Sequence, residues 1–338
     1  MKIGILTGGG DCPGLNSAIR GIVYRAYDLG DKVIAFEEGW KGAVEGITRV
    51  LTLKDVEEIQ SSGGTIIFTS RTNPFAIEKG PDKVKSNLEK NSVDALIAIG
   101  GDDTLGVALK FYKMGVPIVG VPKTMDNDLS GTDFTFGFDT SVEVAVEALE
   151  RLRDTAKSHK RIIILEVMGR EAGWVALYTG IAGGADWTFI PEEKPDFDKM
   201  CEHLKKIYER KGYALVVASE GTKLPLEEKG EIDQFGHRLL QKRGVCEYIA
   251  DLISRKIGIP TRSAVIGHIQ RGGSPTVFDR MIATRLGVKA IEMVHTGEFG
   301  KMAAISGNKV ISVPLEDSAG RLKFVDSEWI ELKRIFEK

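Results

Sequence analysis

The stretch Ala95-Leu96-Ile97-Ala98-Ile99-Gly100-Gly101-Asp102-Asp103-Thr104 decides the fold class, because an apolar run ends there in glycines followed by acidic residues. A short isoleucine-rich run bounded by glycine is typical of a parallel strand covered on both faces. A second such run, residues 118–121, leads into Pro122-Lys123-Thr124-Met125-Asp126-Asn127-Asp128. Ligands of doubly wound sheets bind beyond the carboxyl ends of the strands. Both stretches are therefore candidate ligand-binding loops.

Short apolar runs alternate with helical patterns on either side of these loops. The predicted strands are residues 3–7, 33–36, 95–99, 118–121, 162–167 and 214–218, and the predicted helices are residues 15–29, 104–114, 142–152, 172–180 and 197–210. Strands alternating with helices in this way indicate βαβ units. We therefore predict an α/β protein with two Rossmann-like three-layer α/β/α domains and mainly parallel sheets.

The composition is that of a globular enzyme, with 338 residues, 42% of them hydrophobic, and a formal net charge of −2. A nearly balanced charge gives no global attraction for nucleic acid or a membrane surface, so we expect neither as a partner. Three widely spaced cysteines indicate neither a disulfide framework nor a zinc site. The apolar N-terminal run is too short for a signal peptide, and we expect a cytoplasmic protein.

The loop Gly8-Gly9-Gly10-Asp11-Cys12-Pro13-Gly14 separates the first predicted strand from the first helix. Glycines let backbone N–H groups approach an anion, and a helix N-terminus adds its positive dipole end. Pro13 departs from the dinucleotide-binding pattern, and the chain contains no P-loop pattern. Taken alone, the loop is either a phosphate cradle or a tight turn that needs small residues.

Acidic residues follow both candidate strands. Asp102 is a candidate Mg²⁺ ligand, and Thr104 is a candidate cap of the next helix. Asp126 and Asp128 alternate, so in an extended segment both side chains point the same way. One then acts as a base for a phosphoryl acceptor and the other as a metal partner. The alternatives are a solvated helix start and a polar turn.

Cationic residues near predicted strand ends complete a phosphate-transfer site, because arginine offers planar, bidentate donors to phosphate oxygens. These candidates are Arg71, Arg161, Arg170, Arg262, His268 and Arg271. A single arginine among 46 Lys and Arg residues is more often on the surface than in a site. The position of these residues beside strand ends is what favours a role in binding.

With these motifs in view, the chain closely resembles the 6-phosphofructokinase family from Lys2 to about Thr296. The shared motifs occur in the family's order and are residues 8–16, 100–104, 122–128, Met168-Gly169-Arg170, Ser219-Glu220-Gly221 and residues 267–273. The resemblance implies phosphoryl transfer to the 1-hydroxyl of fructose 6-phosphate, with Mg²⁺ as cofactor. It also implies a homodimer or homotetramer whose active sites are shared between subunits.

The resemblance assigns roles residue by residue. Asp126 is implied as the base, and the implied catalytic set is Asp126, Arg170, Thr124 and Lys123. The implied sugar phosphate site is Thr124, Asp126, Asp128, Arg161, Met168, Gly169, Arg170, Glu220, Arg262, His268 and Arg271, with Arg161 and Arg262 reaching a neighbouring subunit's site. The implied phosphoryl-donor site is Gly10, Arg71, Asp103, Thr104 and Lys123, and the implied metal residue is Asp102.

Two residues favour pyrophosphate over ATP as the donor. The ATP-using pattern of the family has glycine at the places of Asp103 and Lys123, whereas the pair found here resembles the pyrophosphate-dependent members. Two like charges about 4 Å apart repel by about 4 kcal/mol at an effective dielectric constant of about 20. This is about a thousandfold in affinity. Pyrophosphate has no α-phosphate to meet the carboxylate of Asp103, and Lys123 can neutralise its compact charge.

The sequence is compatible with three functions. The first is a reversible pyrophosphate-dependent phosphofructokinase, the second an ATP-dependent one in which Asp103 is tolerated, and the third a sensor that binds sugar phosphate or nucleotide without turnover. We predict a donor domain of residues 1–137 and 270–320, and a fructose 6-phosphate domain of residues 138–269 and 321–338. Residues 222–243 are predicted to be a surface insertion.

Overall fold

The computed structural model of this protein describes residues 1–225, 235 and 244–337. It divides into two compact units, the first comprising Met1–Met125, Leu129–Thr140 and Arg271–Leu322 and the second comprising Asp126–Asp128, Ser141–Gln270 and Lys323–Lys338. The division of roles between a donor domain and a sugar phosphate domain stays a prediction. Within the predicted insertion, residues 226–234 and 236–243 lie outside the described residues.

Both units contain β-strands, numbered here in chain order. The strands are β1 (Lys2–Thr7), β2 (Lys32–Phe36), β3 (Thr48–Leu51), β4 (Ala95–Gly100), β5 (Ile118–Pro122), β6 (Ile162–Val167), β7 (Trp187–Phe189), β8 (Ala214–Ser219), β9 (Thr261–Val265), β10 (Lys301–Ser306) and β11 (Lys309–Pro314). All six strands predicted from apolar runs are present within two residues of their predicted ends. Strands β3, β7, β9 and β11 are short or partly exposed, whereas β10 is mostly buried. The sequence pattern did not reveal any of these five strands.

Helices follow most of the parallel strands. They are α1 (Leu15–Asp28), α2 (Trp40–Glu45), α3 (Leu53–Val56), α4 (Gly80–Lys90), α5 (Asp102–Lys113), α6 (Phe138–His159), α7 (Trp174–Ala182), α8 (Phe197–Lys211), α9 (Val245–Ile257), α10 (Val277–His295) and α11 (Ser327–Phe336). Local capping defines several starts: the side chain of Asp196 accepts a hydrogen bond from the N–H of Lys199, and that of Thr276 accepts one from the N–H of Asp279. Such caps satisfy backbone donors that a helix start leaves unpaired.

The first unit is built on a seven-stranded sheet in the order β11-β10-β5-β4-β1-β2-β3. Its pairs are parallel except β2 with β3 and β10 with β11, which are antiparallel. Every residue of β4 and β5 is buried, which explains their continuous apolar sequence. Each fully buried isoleucine contributes roughly 1.5–3 kcal/mol by leaving water. The central strands therefore form the core of this unit.

The second unit is built on a four-stranded, fully parallel sheet in the order β7-β8-β6-β9. Strand β8 is buried along its whole length, whereas β9 lies at the edge and exposes most of its residues. The apolar faces of α8 and α9 pack against this sheet around buried Ile164, Leu204 and Ile249. The mixed α/β class with mainly parallel sheets is confirmed. Among the described residues, no helix is both long enough and apolar enough to cross a membrane.

Candidate active site

The glycine loop, residues 8–14, lies where the strand order of the seven-stranded sheet reverses. Strands β1 and β4 are neighbours there, although β2 and β3 continue on one side and β5 on the other. The N–H of Gly8 donates to the carbonyl of Ile99 at 2.9 Å, so the glycine loop starts directly beside the end of β4. A switch point of this kind is the usual ligand-binding crevice of a doubly wound sheet. The topology thus brings residues 8–14 and 101–104 together.

Thr104 explains why this crevice needs glycine. A Cβ placed on Gly8 comes within 2.5 Å of the Thr104 hydroxyl, and one placed on Gly100 comes within 2.3 Å of the Thr104 Cβ. Thr104 is itself buried in the first turn of α5, where Gly101 occupies the cap position. The expectation that Thr104 caps the helix is wrong: its side chain packs under two glycines and brings the loops close together.

Two cations are tied to the glycine loop. Lys123 is 3% exposed, its backbone N–H donates to the carbonyl of Gly100 at 2.9 Å, and its ammonium donates to the carbonyl of Gly10. Arg271 donates from Nη1 to the carbonyl of Asp11 at 3.1 Å. The carbonyls of two consecutive residues, Gly10 and Asp11, therefore hold two positively charged side chains. Both lie beside the glycine loop, which is a candidate phosphate-binding loop. Charges placed in advance in this way favour an incoming anion.

Two acidic residues, Asp102 and Asp103, lie in the first turn of α5, where the helix dipole favours negative charge. Asp102 Oδ1 accepts a hydrogen bond from the N–H of Gly320 at 2.6 Å, which orients the carboxylate. Carboxylate oxygens are the protein ligands that Mg²⁺ prefers, so the donor type at Asp102 fits a magnesium ion. Arg71 is exposed in the loop that precedes the short 3-10 helix Pro74–Ala76.

The acidic segment Asp126–Asp128 belongs to the second unit. Its middle residue, Asn127, has a φ angle of +51° and is 2% exposed. The segment is therefore not extended, and the expectation that two-residue spacing alone puts Asp126 and Asp128 on one face is wrong. A left-handed conformation costs about 1 kcal/mol or more for a residue with a side chain, and asparagine tolerates it better than most residues. Additional contacts must hold the turn.

Residues after β6 and β8 form the second group of candidates. The N–H of Gly221 donates to the carbonyl of Gly169 at 3.0 Å, and Gly169 has a φ angle of +137°, which favours glycine. The N–H of Gly169 lies 3.4 Å from Glu220 Oε1. Burial, followed by the charge of Asp126, raises the pKa of the Glu220 carboxyl. The structure thus brings Met168–Arg170, Glu220 and Asp126 into one electrostatic group.

Gln270 organises this group, and the sequence analysis missed it. It is fully buried, and its Oε1 accepts a hydrogen bond from the N–H of Met168 at 2.8 Å. Its Nε2 donates to the carbonyl oxygen and the hydroxyl of Ser141, at 3.2 and 3.0 Å. All of these contacts lie within the second unit. The signal available in the sequence was a lone amide between His268 and Arg271, which does not distinguish a ligand from a support.

Two candidate cations, Arg161 and Arg262, lie apart from this group. Arg161 directly precedes β6, and Arg262 lies on β9 where it pairs with Ile163, so both are near the amino ends of their strands. Six residues of β6, about 20 Å at about 3.3 Å per residue, separate Arg161 from Met168. His268 is exposed in the turn after β9, and Arg271 lies in the first unit beside the glycine loop. One chain therefore does not bring Arg161 or Arg262 to the residues predicted for its own sugar phosphate site.

A family model described as phosphofructokinase matches residues 2–294. The chain belongs to the phosphofructokinase family. Enzymes of this family are phosphotransferases that need a divalent metal ion. The motifs quoted from the sequence all lie inside the matched region, and the resemblance is confirmed.

Relatives of this phosphofructokinase are named for two different phosphoryl donors, pyrophosphate and ATP. The chain is 50% identical to the pyrophosphate–fructose 6-phosphate 1-phosphotransferase of Dictyoglomus thermophilum over 100% of this chain and 99% of the relative. It is 44% identical to the ATP-dependent 6-phosphofructokinase of Corynebacterium efficiens over 99% of both chains. Its structure matches that of Pichia pastoris phosphofructokinase in the T-state with a TM-score of 0.84 at 34% identity, covering 99% of this chain and 36% of that chain.

Proposed function

We propose that this phosphofructokinase transfers a phosphoryl group from pyrophosphate to the 1-hydroxyl of fructose 6-phosphate. The products are fructose 1,6-bisphosphate and phosphate, and the reaction runs in either direction in glycolysis or gluconeogenesis. The relative of highest identity reported above is named for this reaction. The observation that carries the proposal is Lys123, a buried ammonium group held on the carbonyl of Gly10 in the predicted donor loop.

The donor loop suits a compact anion. Lys123 and Arg271 supply positive charge for the phosphates, and the glycine backbone allows close approach. Asp103 in the first turn of α5 supplies a negative charge where the α-phosphate of ATP is expected. Pyrophosphate lacks that phosphate and avoids the repulsion. In the ATP-using pattern that the resemblance implies, glycine takes the places of Asp103 and Lys123.

The acceptor residues carry out the proton transfer. Asp126 takes the proton of the 1-hydroxyl as that oxygen bonds to phosphorus, and the bond from phosphorus to the bridging oxygen of pyrophosphate breaks. Phosphate leaves, and Lys123 and Arg170 stabilise the charge that moves onto the leaving and transferring groups. Thr124, Asp128, Met168, Glu220 and His268 bind the sugar phosphate. Glu220, with its raised pKa, is suited to hydrogen bonding with sugar hydroxyls.

We propose Mg²⁺ as the divalent metal and Asp102 as the residue that holds it. The hydrogen bond from Gly320 orients its carboxylate, and the oxygen donor fits a hard cation. A bound Mg²⁺ would neutralise charge on the pyrophosphate oxygens. Asp102 would hold the ion, and Gly10 and Thr104 shape the loop that receives the phosphates.

We also propose that the active protein is a cytoplasmic homodimer or homotetramer. Arg161 and Arg262 lie about one strand length from Met168 in their own chain, a separation that supports a role for both residues in the site of a neighbouring copy. Buried Cys12, Cys201 and Cys246 are all unbonded thiols, which fits a reducing compartment.

The proposal is tested by measuring fructose 1,6-bisphosphate formation from fructose 6-phosphate and Mg²⁺, with pyrophosphate and ATP compared at equal concentrations. We expect turnover with pyrophosphate and much weaker turnover with ATP. Preference for ATP establishes the ATP-dependent kinase, which the Corynebacterium relative makes the second candidate. Sugar phosphate binding without turnover of either donor establishes the sensor.

A further inference from the structure

The turn at Asn127 separates the proposed base, Asp126, from Asp128. Because φ at Asn127 is +51°, this residue sets the direction in which the chain enters and leaves the turn. Asn127 is 2% exposed, so its side chain is packed among protein groups. Any residue that holds Asn127 therefore controls the placement of the carboxylates on both sides.

Lys323 contacts this turn with two different donors. Its ammonium nitrogen donates to Oδ1 of Asn127 at 3.1 Å. Its backbone N–H donates to the carbonyl of Asp128 at 2.7 Å. A charged donor makes a stronger bond to an amide oxygen than a neutral donor does. One residue thus fixes both the side chain of the strained position and the backbone just after it.

Lys323 is itself held by the second unit. The indole Nε1 of Trp174, at the start of α7, donates to the carbonyl of Lys323 at 2.8 Å. The Lys323 ammonium lies 5.7 Å from the centroid of the Trp174 ring, within range of a cation–π interaction. Trp174 is 6% exposed, which makes it a rigid support. The contacts run from a buried helix start through Lys323 to the turn beside the proposed base.

From these contacts we infer that Lys323 is a positioning residue for catalysis: it holds Asn127 in its left-handed conformation and so fixes Asp126 for proton transfer. The inference rests on the proposed role of Asp126. Lys323 lies beyond residues 2–294, the region matched by the family model. It acts through Asn127 and Asp128 rather than on the substrate. Small displacements of a reacting group lower turnover strongly, because catalysis depends on its orientation.

The test is a double-mutant cycle between Lys323→Met and Asn127→Gly, assayed with the donor that the wild-type enzyme uses. Methionine keeps the length of the side chain and removes its donor. We expect Lys323→Met to lower kcat about tenfold. Glycine adopts positive φ without strain, so in the Asn127→Gly background the same change at Lys323 is expected to alter kcat less than twofold.

Matched variants separate positioning from general stability. Lys323→Arg keeps a charged donor and is expected to restore kcat to within threefold of wild type. Arg321→Met removes an exposed cation two residues earlier, one that pairs with Asp317, and is expected to leave kcat unchanged. Melting temperatures are measured for every variant. A tenfold loss that is equal in both Asn127 backgrounds, or a loss below twofold in Lys323→Met, overturns the inference.

A second readout does not depend on activity. Hydrogen exchange of the peptide covering residues 124–130 is expected to be at least tenfold faster in Lys323→Met than in wild type or Arg321→Met, because the turn loses a restraint. Unchanged exchange overturns the inference. If the wild-type enzyme turns over neither donor, the proposed function fails while the exchange result still decides whether Lys323 holds the turn.

Discussion

The glycine loop of the first unit and the acidic turn of the second are built in opposite ways. The glycine loop places cations on backbone carbonyls, Lys123 on Gly10 and Arg271 on Asp11. The second group places carboxylates in a partly buried setting, where burial and then the charge of Asp126 raise the pKa of Glu220. The contrast teaches that binding an anion and accepting a proton need different surroundings: fixed positive charge for the first, and an oriented carboxylate for the second.

The largest loss is expected from removing the proposed base. Asp126→Asn keeps the shape of the side chain but cannot accept a proton, so we expect kcat to fall about a thousandfold with either donor. The KM for fructose 6-phosphate should stay within about threefold of wild type. Steady-state kinetics checks this, with exposed Asp317→Asn as control. A fall in kcat of less than tenfold removes Asp126 from the role of base.

A smaller loss of activity is expected from Lys123→Met, and we expect it to affect the use of pyrophosphate alone. Removing the ammonium from the Gly10 carbonyl should lower kcat/KM for pyrophosphate about a hundredfold, because a fixed charge near the transferring group is lost. Lys113→Met, which removes an exposed lysine paired with Glu316 in the same unit, is the control. Equal increases in the KM values of pyrophosphate and fructose 6-phosphate would show that the two groups of residues are not chemically separate.

Gln270→Met is expected to change the KM for the acceptor, fructose 6-phosphate, about tenfold and to leave the KM for the donor nearly unchanged. The part-buried N–H of Met168 loses its acceptor, which costs about 1–3 kcal/mol, so we expect the KM for fructose 6-phosphate to rise about tenfold. The KM for pyrophosphate should change less than twofold. Asn87→Ala removes comparable amide donations to the carbonyls of Ala43 and Val44 and should leave both KM values unchanged. A shift in the pyrophosphate KM instead contradicts the role given to Gln270.

The smallest effect is on stability and belongs to the first unit. Burial raises the pKa of Asp279 to about 6, although the N–H of Thr140 donates to its Oδ2 at 2.8 Å. The unfolded chain, with its aspartate pKa near 3.9, binds fewer protons above pH 4, so this group destabilises the fold as pH rises towards 6. We expect about 1 kcal/mol of this loss between pH 5 and 7.

Urea unfolding at pH 5 and 7 measures that loss. Asp279→Asn has no proton to bind and should show a flatter dependence of unfolding free energy on pH, with kcat near the wild-type value. Identical pH dependence in the two proteins contradicts the assignment of the raised pKa to Asp279.

The sequence predicted the parts of the fold that depend on local pattern. Fully buried β4 and β5 stand out as apolar runs, and the glycines beside Thr104 mark the crevice. Strand β9 does not stand out, because an exposed edge strand lacks a continuous apolar pattern. The left-handed conformation of Asn127 was also not predicted, because residue spacing alone carries no information about the φ angle.

The positioning residues could not be predicted for a different reason. Gln270 and Lys323 are hydrogen-bonded to Met168 and Asn127, respectively, which lie more than a hundred residues away along the chain. A glutamine or a lysine at these positions in the sequence does not reveal whether the side chain supports a site or lies on the surface. Motifs reveal groups that contact ligands, whereas supports of this kind become visible only when the fold brings distant segments together.

We propose that Asp103 and Lys123 make this phosphofructokinase select pyrophosphate. The most direct test compares the ratio of kcat/KM for pyrophosphate to kcat/KM for ATP in wild type and in Asp103→Gly. We predict that the ratio is at least a hundredfold in favour of pyrophosphate in wild type and falls at least tenfold when the carboxylate is removed. A ratio that stays within twofold after the substitution contradicts the claim.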